Sequence, residues 1–133
     1  MFQKAVNLSV CAISLLFGCV IYAFLGEGTY IANKINEVVT IEAIPISVGM
    51  NIVRNYLVDY LWGLALSCGL FVVCGEGKKS AIASISLAVG CGLLWELLQK
   101  IGIVGGPGDL LDVVAYLLAG ATAILINLKE FEK

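Results

Sequence analysis

The chain has 133 residues, 60% of them hydrophobic and 14% charged, with a formal net charge of −2 and a mean hydropathy of +0.99. Soluble domains carry roughly 25% charged residues, so this composition excludes an ordinary soluble fold and reads as one integral membrane domain, residues 1–133. The acidic balance excludes a basic nucleic-acid-binding surface, and the lack of histidine removes the commonest general base and metal ligand.

Four apolar runs approach the roughly 20 residues that a helix needs to cross a bilayer. The first covers about residues 5–25. It follows Lys4 in the manner of a signal peptide, and Leu16-Phe17-Gly18-Cys19 is similar to a lipoprotein cleavage box. The run continues apolar through Val20-Ile21-Tyr22-Ala23-Phe24-Leu25, beyond a signal-peptide core of about 7–15 residues. An uncleaved first span is therefore expected.

Residues 26–55 form the one long connection and are expected to lie outside the membrane. Ile31, Ile35 and Val38 recur at helical spacing, with Asn33, Lys34 and Glu37 elsewhere on the turn. That pattern fits a short amphipathic helix at the interface, or else a plain ordered loop. Pro45 breaks the chain, and Asn55 is a candidate cap for the second run, about residues 56–74. The short loop Gly75-Glu76-Gly77-Lys78-Lys79 makes the second and third runs antiparallel.

The third run, about residues 81–98, carries small residues at every fourth position: Ser80, Ser84, Ala88 and Gly92. The fourth, about residues 110–128, has Ala115, Ala119 and Ala123. Small residues let helices approach closely in lipid, so these stripes read as packing faces, and the first leads to Glu96. The expected fold is an all-α integral membrane four-helix bundle, with an interfacial helix or loop between the first two spans. Lys4, Lys78, Lys79, Lys129 and Lys133 outnumber Lys34, Arg54 and Lys100, so both termini are expected on the cytoplasmic side of the membrane. The five cysteines, Cys11, Cys19, Cys68, Cys74 and Cys91, lie in or beside apolar runs without a C-x-x-C pair and read as free thiols.

At the outward ends of these runs, polar residues converge. Asp59 lies in the first turn of the second run, with Arg54 just before it. Glu96 and Gln99 share a face in the last turn of the third run, and Asp109 and Asp112 open the fourth, with Tyr116 one turn deeper. Helix capping accounts for Asp109 as N-cap and Asp112 in the first turn, where a carboxylate complements the helix dipole. Glu96 lies at the wrong end of its helix for that explanation; Lys100, Arg54 and the start of the fourth helix are its candidate partners. Beyond capping, three readings suit the cluster. Glu96, Asp109 and Asp112, with Asp59 and Gln99, make an oxygen-rich set for a divalent cation such as Mg²⁺ or Ca²⁺. Two carboxylates in different surroundings, Glu96 and Asp112, can divide acid and base roles. Alternatively the acids, Gln99 and Arg54 grip a polar headgroup or peptide-like ligand at the outer leaflet.

Glu96-x-x-Gln99 followed by Asp109-x-x-Asp112 at the head of a last apolar helix resembles the VanZ-like family of small bacterial membrane proteins. Asp59-Tyr60-Leu61-Trp62 near the start of an earlier span is also similar, and residues 56–128 carry the resemblance. The family pattern has an Arg where this chain has Gly106, an Asn where it has Tyr116, and a Gly where it has Ala119. The resemblance implies a bacterial cell membrane and a link to teicoplanin-type glycopeptide resistance. The outward convergence of Glu96, Gln99, Asp109, Asp112 and Asp59 motivates the leading expectation, an envelope protein that binds or shields an envelope lipid, lipid-linked precursor or glycopeptide at the outer leaflet. The competing expectation is a carboxylate- or metal-dependent enzyme acting on an envelope lipid or precursor.

Overall fold

A mainly apolar sequence without proline makes the first helix, α1 (Phe2–Leu25), which buries only Asn7, Ser14 and Gly18. The structure is a computed structural model that describes residues 2–25, 33, 34, 36–40, 47–105 and 108–132. The readings made at Ile31, Ile35, Pro45 and Gly106 lie outside the described residues. Within the long connection, Glu37 N–H donates to the Asn33 carbonyl (3.1 Å) and Lys34 pairs with Glu37 (2.8 Å).

The second helix, α2 (Val48–Cys74), begins well before the position expected from the sequence. Ser47, not Asn55, caps it, its side chain accepting from the Met50 N–H. Hydropathy placed the start at the first long apolar run, whereas the helix extends back through the polar Asn51, Arg54 and Asn55. One turn of it, Val53–Leu57, is π-helical. Such turns are rare and recur at functional sites.

A short glycine loop leads to α3 (Lys78–Lys100). Gly75 and Gly77 both take positive φ (95° and 105°), a region that L side chains avoid. Helix α3 ends in a Schellman motif. Gly102 adopts φ 77°, its N–H donates to the Gln99 carbonyl (3.0 Å), and Ile103 N–H donates to the Leu98 carbonyl (2.9 Å). Asp109 then caps α4 (Leu110–Ile126), and Asn127 turns the chain into the short α5 (Leu128–Phe131).

Among the described residues the chain is all-helical, with no strand. Three helices (α1, α2 and α3) are long and apolar enough to cross a membrane, and α4 is apolar but shorter at 17 residues. Side chains such as Leu16, Phe17, Leu94, Leu118 and Leu125 stand exposed along them, as suits a multi-pass protein whose helices contact lipid.

Helix α2 is central, packing against α1, α3 and α4, while α3 also packs on α4. The packing stripes occur as read from Ser84 onward: Ser84, Ala88, Gly92 and Glu96 are buried on α3, and Ala115, Ala119 and Ala123 on α4. The α2–α4 seam centres on Leu64, Cys68, Ala119 and Ala123. At the opposite end from Glu96, two buried amides join α1 to the end of α4. Asn7 Nδ2 donates to Asn127 Oδ1 (2.8 Å), and Asn127 Nδ2 donates back to Asn7 Oδ1 (3.1 Å). Gln3 Nε2 reaches Asn127 Oδ1 as well (3.0 Å). Buried Glu130 on α5 accepts from the Gly77 N–H (2.8 Å) and so ties the tail to the loop before α3. All five cysteines are free thiols, and Cys68 is the buried one.

Candidate functional site

The seven residues singled out from the sequence lie at one end of the helices. Six of them, Arg54, Asp59, Glu96, Gln99, Asp109 and Asp112, line a single pocket of about 420 Å³ together with Tyr22, Asn55, Tyr56 and Trp95. The seventh, Tyr116, is buried behind the pocket, and its hydroxyl donates to Asp59 Oδ1 (3.2 Å). All four apolar helices therefore contribute: α1 through Tyr22, α2 through residues 54–59, α3 through Trp95, Glu96 and Gln99, and α4 through Asp112 and its cap Asp109.

Close approach of the α3–α4 loop sets the first part of the geometry. A Cβ on Gly108 would stand 3.0 Å from the Glu96 carbonyl oxygen and 3.1 Å from Lys100 Cβ, so only glycine lets the loop lie this tightly on the end of α3. This brings the Asp109 N–H to Glu96 Oε2 (3.1 Å). Glu96 thus caps the start of α4 from the neighbouring helix, the partner expected for it among the three named candidates. The positive end of the α4 dipole offsets the cost of a carboxylate near the negative end of α3.

Asp109 is engaged on every side. Its Oδ1 accepts from the Leu111 N–H (3.0 Å) and its Oδ2 from the Tyr56 hydroxyl (3.0 Å). These bonds favour the ionised form, the Leu111 amide first and then Tyr56, and hold the carboxyl below its ordinary value of 3.8. Capping thus accounts for Asp109 as read from the sequence.

Asp59 and Asp112 make a different arrangement. They face the same pocket from α2 and α4, and only Asp59 also accepts from the Tyr116 hydroxyl (3.2 Å). The sequence reading paired Glu96 with Asp112 as acid and base; the structure sets Asp59 in the same pocket as both. Arg54 turns its Nε–H to Asn55 Oδ1 (3.0 Å), and Gln99 Nε2 donates to the Gly105 carbonyl (3.3 Å). Among the described residues no three His, Cys, Asp or Glu side chains come close enough to hold a metal ion, the set of Glu96, Asp109 and Asp112 included.

Tyr116 reaches Asp59 because two glycines make room for its ring. A Cβ on Gly92 would stand 2.5 Å from the ring, and one on Gly63 would stand 3.2 Å from it. Sequence reasoning missed Tyr22, Asn55, Tyr56 and Trp95. An aromatic belt at the ends of spans is a known signal and marks Tyr22, Tyr56 and Trp95. Nothing local marks Asn55 as a pocket residue, because it lies in the π-helical turn ahead of the apolar run, and hydropathy does not signal that turn.

No family model matches the chain, and neither does any curated protein or solved structure.

Proposed function

We propose that the chain is a four-span, VanZ-like membrane protein of the bacterial envelope, a four-helix bundle with both termini cytoplasmic, that binds a polar ligand in the acidic pocket at the outer leaflet. The ligand is an envelope lipid, a lipid-linked precursor or a glycopeptide. The observation that carries this reading is the pocket itself. Four carboxyl groups, a guanidinium and two amides from α2, α3 and the start of α4 surround one volume of about 420 Å³, within the range of roughly 300–1,000 Å³ usual for ligand sites. The lysine distribution supports the orientation, and Glu96-x-x-Gln99 with Asp109-x-x-Asp112 supports the family assignment.

The test is glycopeptide sensitivity of cells expressing Glu96→Gln, Asp112→Asn or Arg54→Gln, with folding of each purified variant checked in detergent. Folded variants that lose protection support a site. Full protection in all three would sink the proposal.

A second reading is favoured by the gathering of Asp59, Glu96, Asp109 and Asp112 about one pocket. Two carboxyl groups in different surroundings can divide acid and base roles, so the pocket would also suit an enzyme acting on an envelope lipid or precursor. Hydrolysis of a lipid-linked precursor by the purified protein, abolished in Asp112→Asn, would select this reading over simple binding.

A further inference from the structure

The acidic pocket has an apolar neighbour. Trp95 lines it and also lines a second, apolar cavity of about 580 Å³ that runs down the helices. Tyr116 joins the two as well, since its ring borders the apolar cavity while its hydroxyl bonds Asp59. Helix α2 forms the floor of the cavity with Trp62, Ala65, Leu66, Gly69 and Val73. Helices α1 and α3 form its walls; both pack on α2 but have no extensive contact with each other. From Trp62 to Val73 the floor rises about 16 Å at 1.5 Å per residue. That is roughly half of the ~30 Å hydrocarbon core, the depth of one leaflet.

We propose that one amphiphile occupies both cavities, its single apolar chain in the groove between α1 and α3 and a cationic amine head in the acidic pocket. The inference rests on reading the pocket as a ligand site and names the class of ligand. Three observations favour a lipid-like occupant: the groove is one leaflet deep, its lining is apolar, and Trp95 borders both the groove and the polar pocket. Charge selects the head. Asp59, Glu96, Asp109 and Asp112 face a single guanidinium, Arg54. Such a surface attracts an ammonium and repels a phosphate.

The chain's two tryptophans, Trp62 and Trp95, both line the groove, so intrinsic fluorescence reports its occupancy. Purified protein in non-ionic detergent is titrated with an alkylamine brominated along its chain, and in parallel with the alkyl phosphate of the same chain. Saturable quenching by the amine is expected, with an apparent affinity at least tenfold tighter than that of the phosphate. Cys91 lines the groove but is exposed, so Cys91→Phe fills the groove without crowding the core and is expected to abolish saturation while the helical circular dichroism is unchanged. Non-saturable quenching, or quenching indifferent to Cys91→Phe, overturns the proposal. Equal affinity for amine and phosphate overturns the assignment of the head. Dimerisation that Cys91→Phe abolishes, without saturable quenching, shows a second copy in the groove and overturns it too. Failure of the two readings is distinguishable. If protection survives in the Glu96, Asp112 and Arg54 variants while saturable amine binding persists, only the proposed function falls. If protection is lost in those variants and no saturable quenching occurs, only this inference falls.

Discussion

Replacing Gly92 with alanine puts a methyl carbon where the Tyr116 ring already stands. The new Cβ would lie 2.5 Å from Cγ, 2.6 Å from Cδ2 and 2.9 Å from Cδ1 of that ring. The ring is rigid and cannot retreat. On its other side, the Cβ position of Gly63 is 3.2 Å from Cδ1 and 3.1 Å from Ala119 Cβ, so the space there is already filled. Overpacking of this kind costs about 1–3 kcal/mol. Displacement of the ring also breaks the Tyr116–Asp59 hydrogen bond, for about 1 kcal/mol more. Glycine to alanine within a helix gains about 0.5–1 kcal/mol of its own, so the comparison is Gly90→Ala on the same helix, where a Cβ meets nothing within 4 Å. Relative to that control, Gly92→Ala should lose about 2–4 kcal/mol, roughly 30- to 900-fold in the unfolding equilibrium. Reversible unfolding in mixed detergent micelles, followed by circular dichroism, measures it. In a Tyr116→Ala background the ring is gone, and the two alanine variants should differ little. Equal stability of Gly92→Ala and Gly90→Ala in the wild-type background would refute the reasoning.

Other outcomes follow from the same contacts. Asn7→Leu removes two hydrogen bonds of the buried Asn127 amide, which keeps Gln3 and the Ala123 carbonyl, and should cost about 1–3 kcal/mol, while Asn7→Leu with Asn127→Leu should cost less than the sum; a double-mutant cycle giving additive losses would show that the amides are not coupled. Glu96→Gln keeps an oxygen for the Asp109 N–H and should leave α4 intact, whereas Glu96→Leu should raise amide exchange over residues 109–112; equal protection in the two would count against the capping role. Asp109 has a folded value below its ordinary 3.8, so the unfolded chain binds the proton more readily. Its contribution to stability is complete above about pH 4 and is lost as pH falls through the depressed folded value. Asp109→Asn keeps a capping oxygen and should show a shallower loss of stability between about pH 5 and pH 2; an unchanged acid slope would contradict the assignment. Glu130→Ala should raise exchange at the Gly77 amide, whose N–H then lacks its acceptor, and unchanged exchange there would mean that the 2.8 Å contact does not persist in solution.

Much of the site was legible because its signals are local. Asp109 before an apolar run reads as a cap, and it is one. The every-fourth-residue stripe on α3 reads as a packing face that ends on Glu96, and Glu96 is buried with it. Antiparallel helices put the polar ends of the spans at one level, which is enough to gather six of the seven named residues into one pocket. The start of α2 was misplaced because hydropathy marks where a helix can enter lipid, not where hydrogen bonding begins. Ser47 starts the helix eight residues ahead of Asn55, in polar sequence that a membrane criterion passes over.

The sequence by itself determined the apolar helices, the sharp glycine turn between α2 and α3, and the acidic character of one end. Each follows from composition or spacing within a few turns of chain. Only the tertiary structure decided the partners: Glu96 with the Asp109 amide, Asp59 with the Tyr116 hydroxyl, the Tyr116 ring between Gly63 and Gly92, and Asn7 with Asn127. A helical period states which face of a helix is buried, but not which residue of another helix meets it. Those pairings depend on the axial offset and rotation of whole helices, fixed by the sum of many packing contacts. Asn7 and Asn127 lie at opposite ends of the chain, and each reads locally as an isolated polar residue at the edge of an apolar run. Brought together, their amides satisfy one another in a buried place, and that reciprocity has no one-dimensional signature.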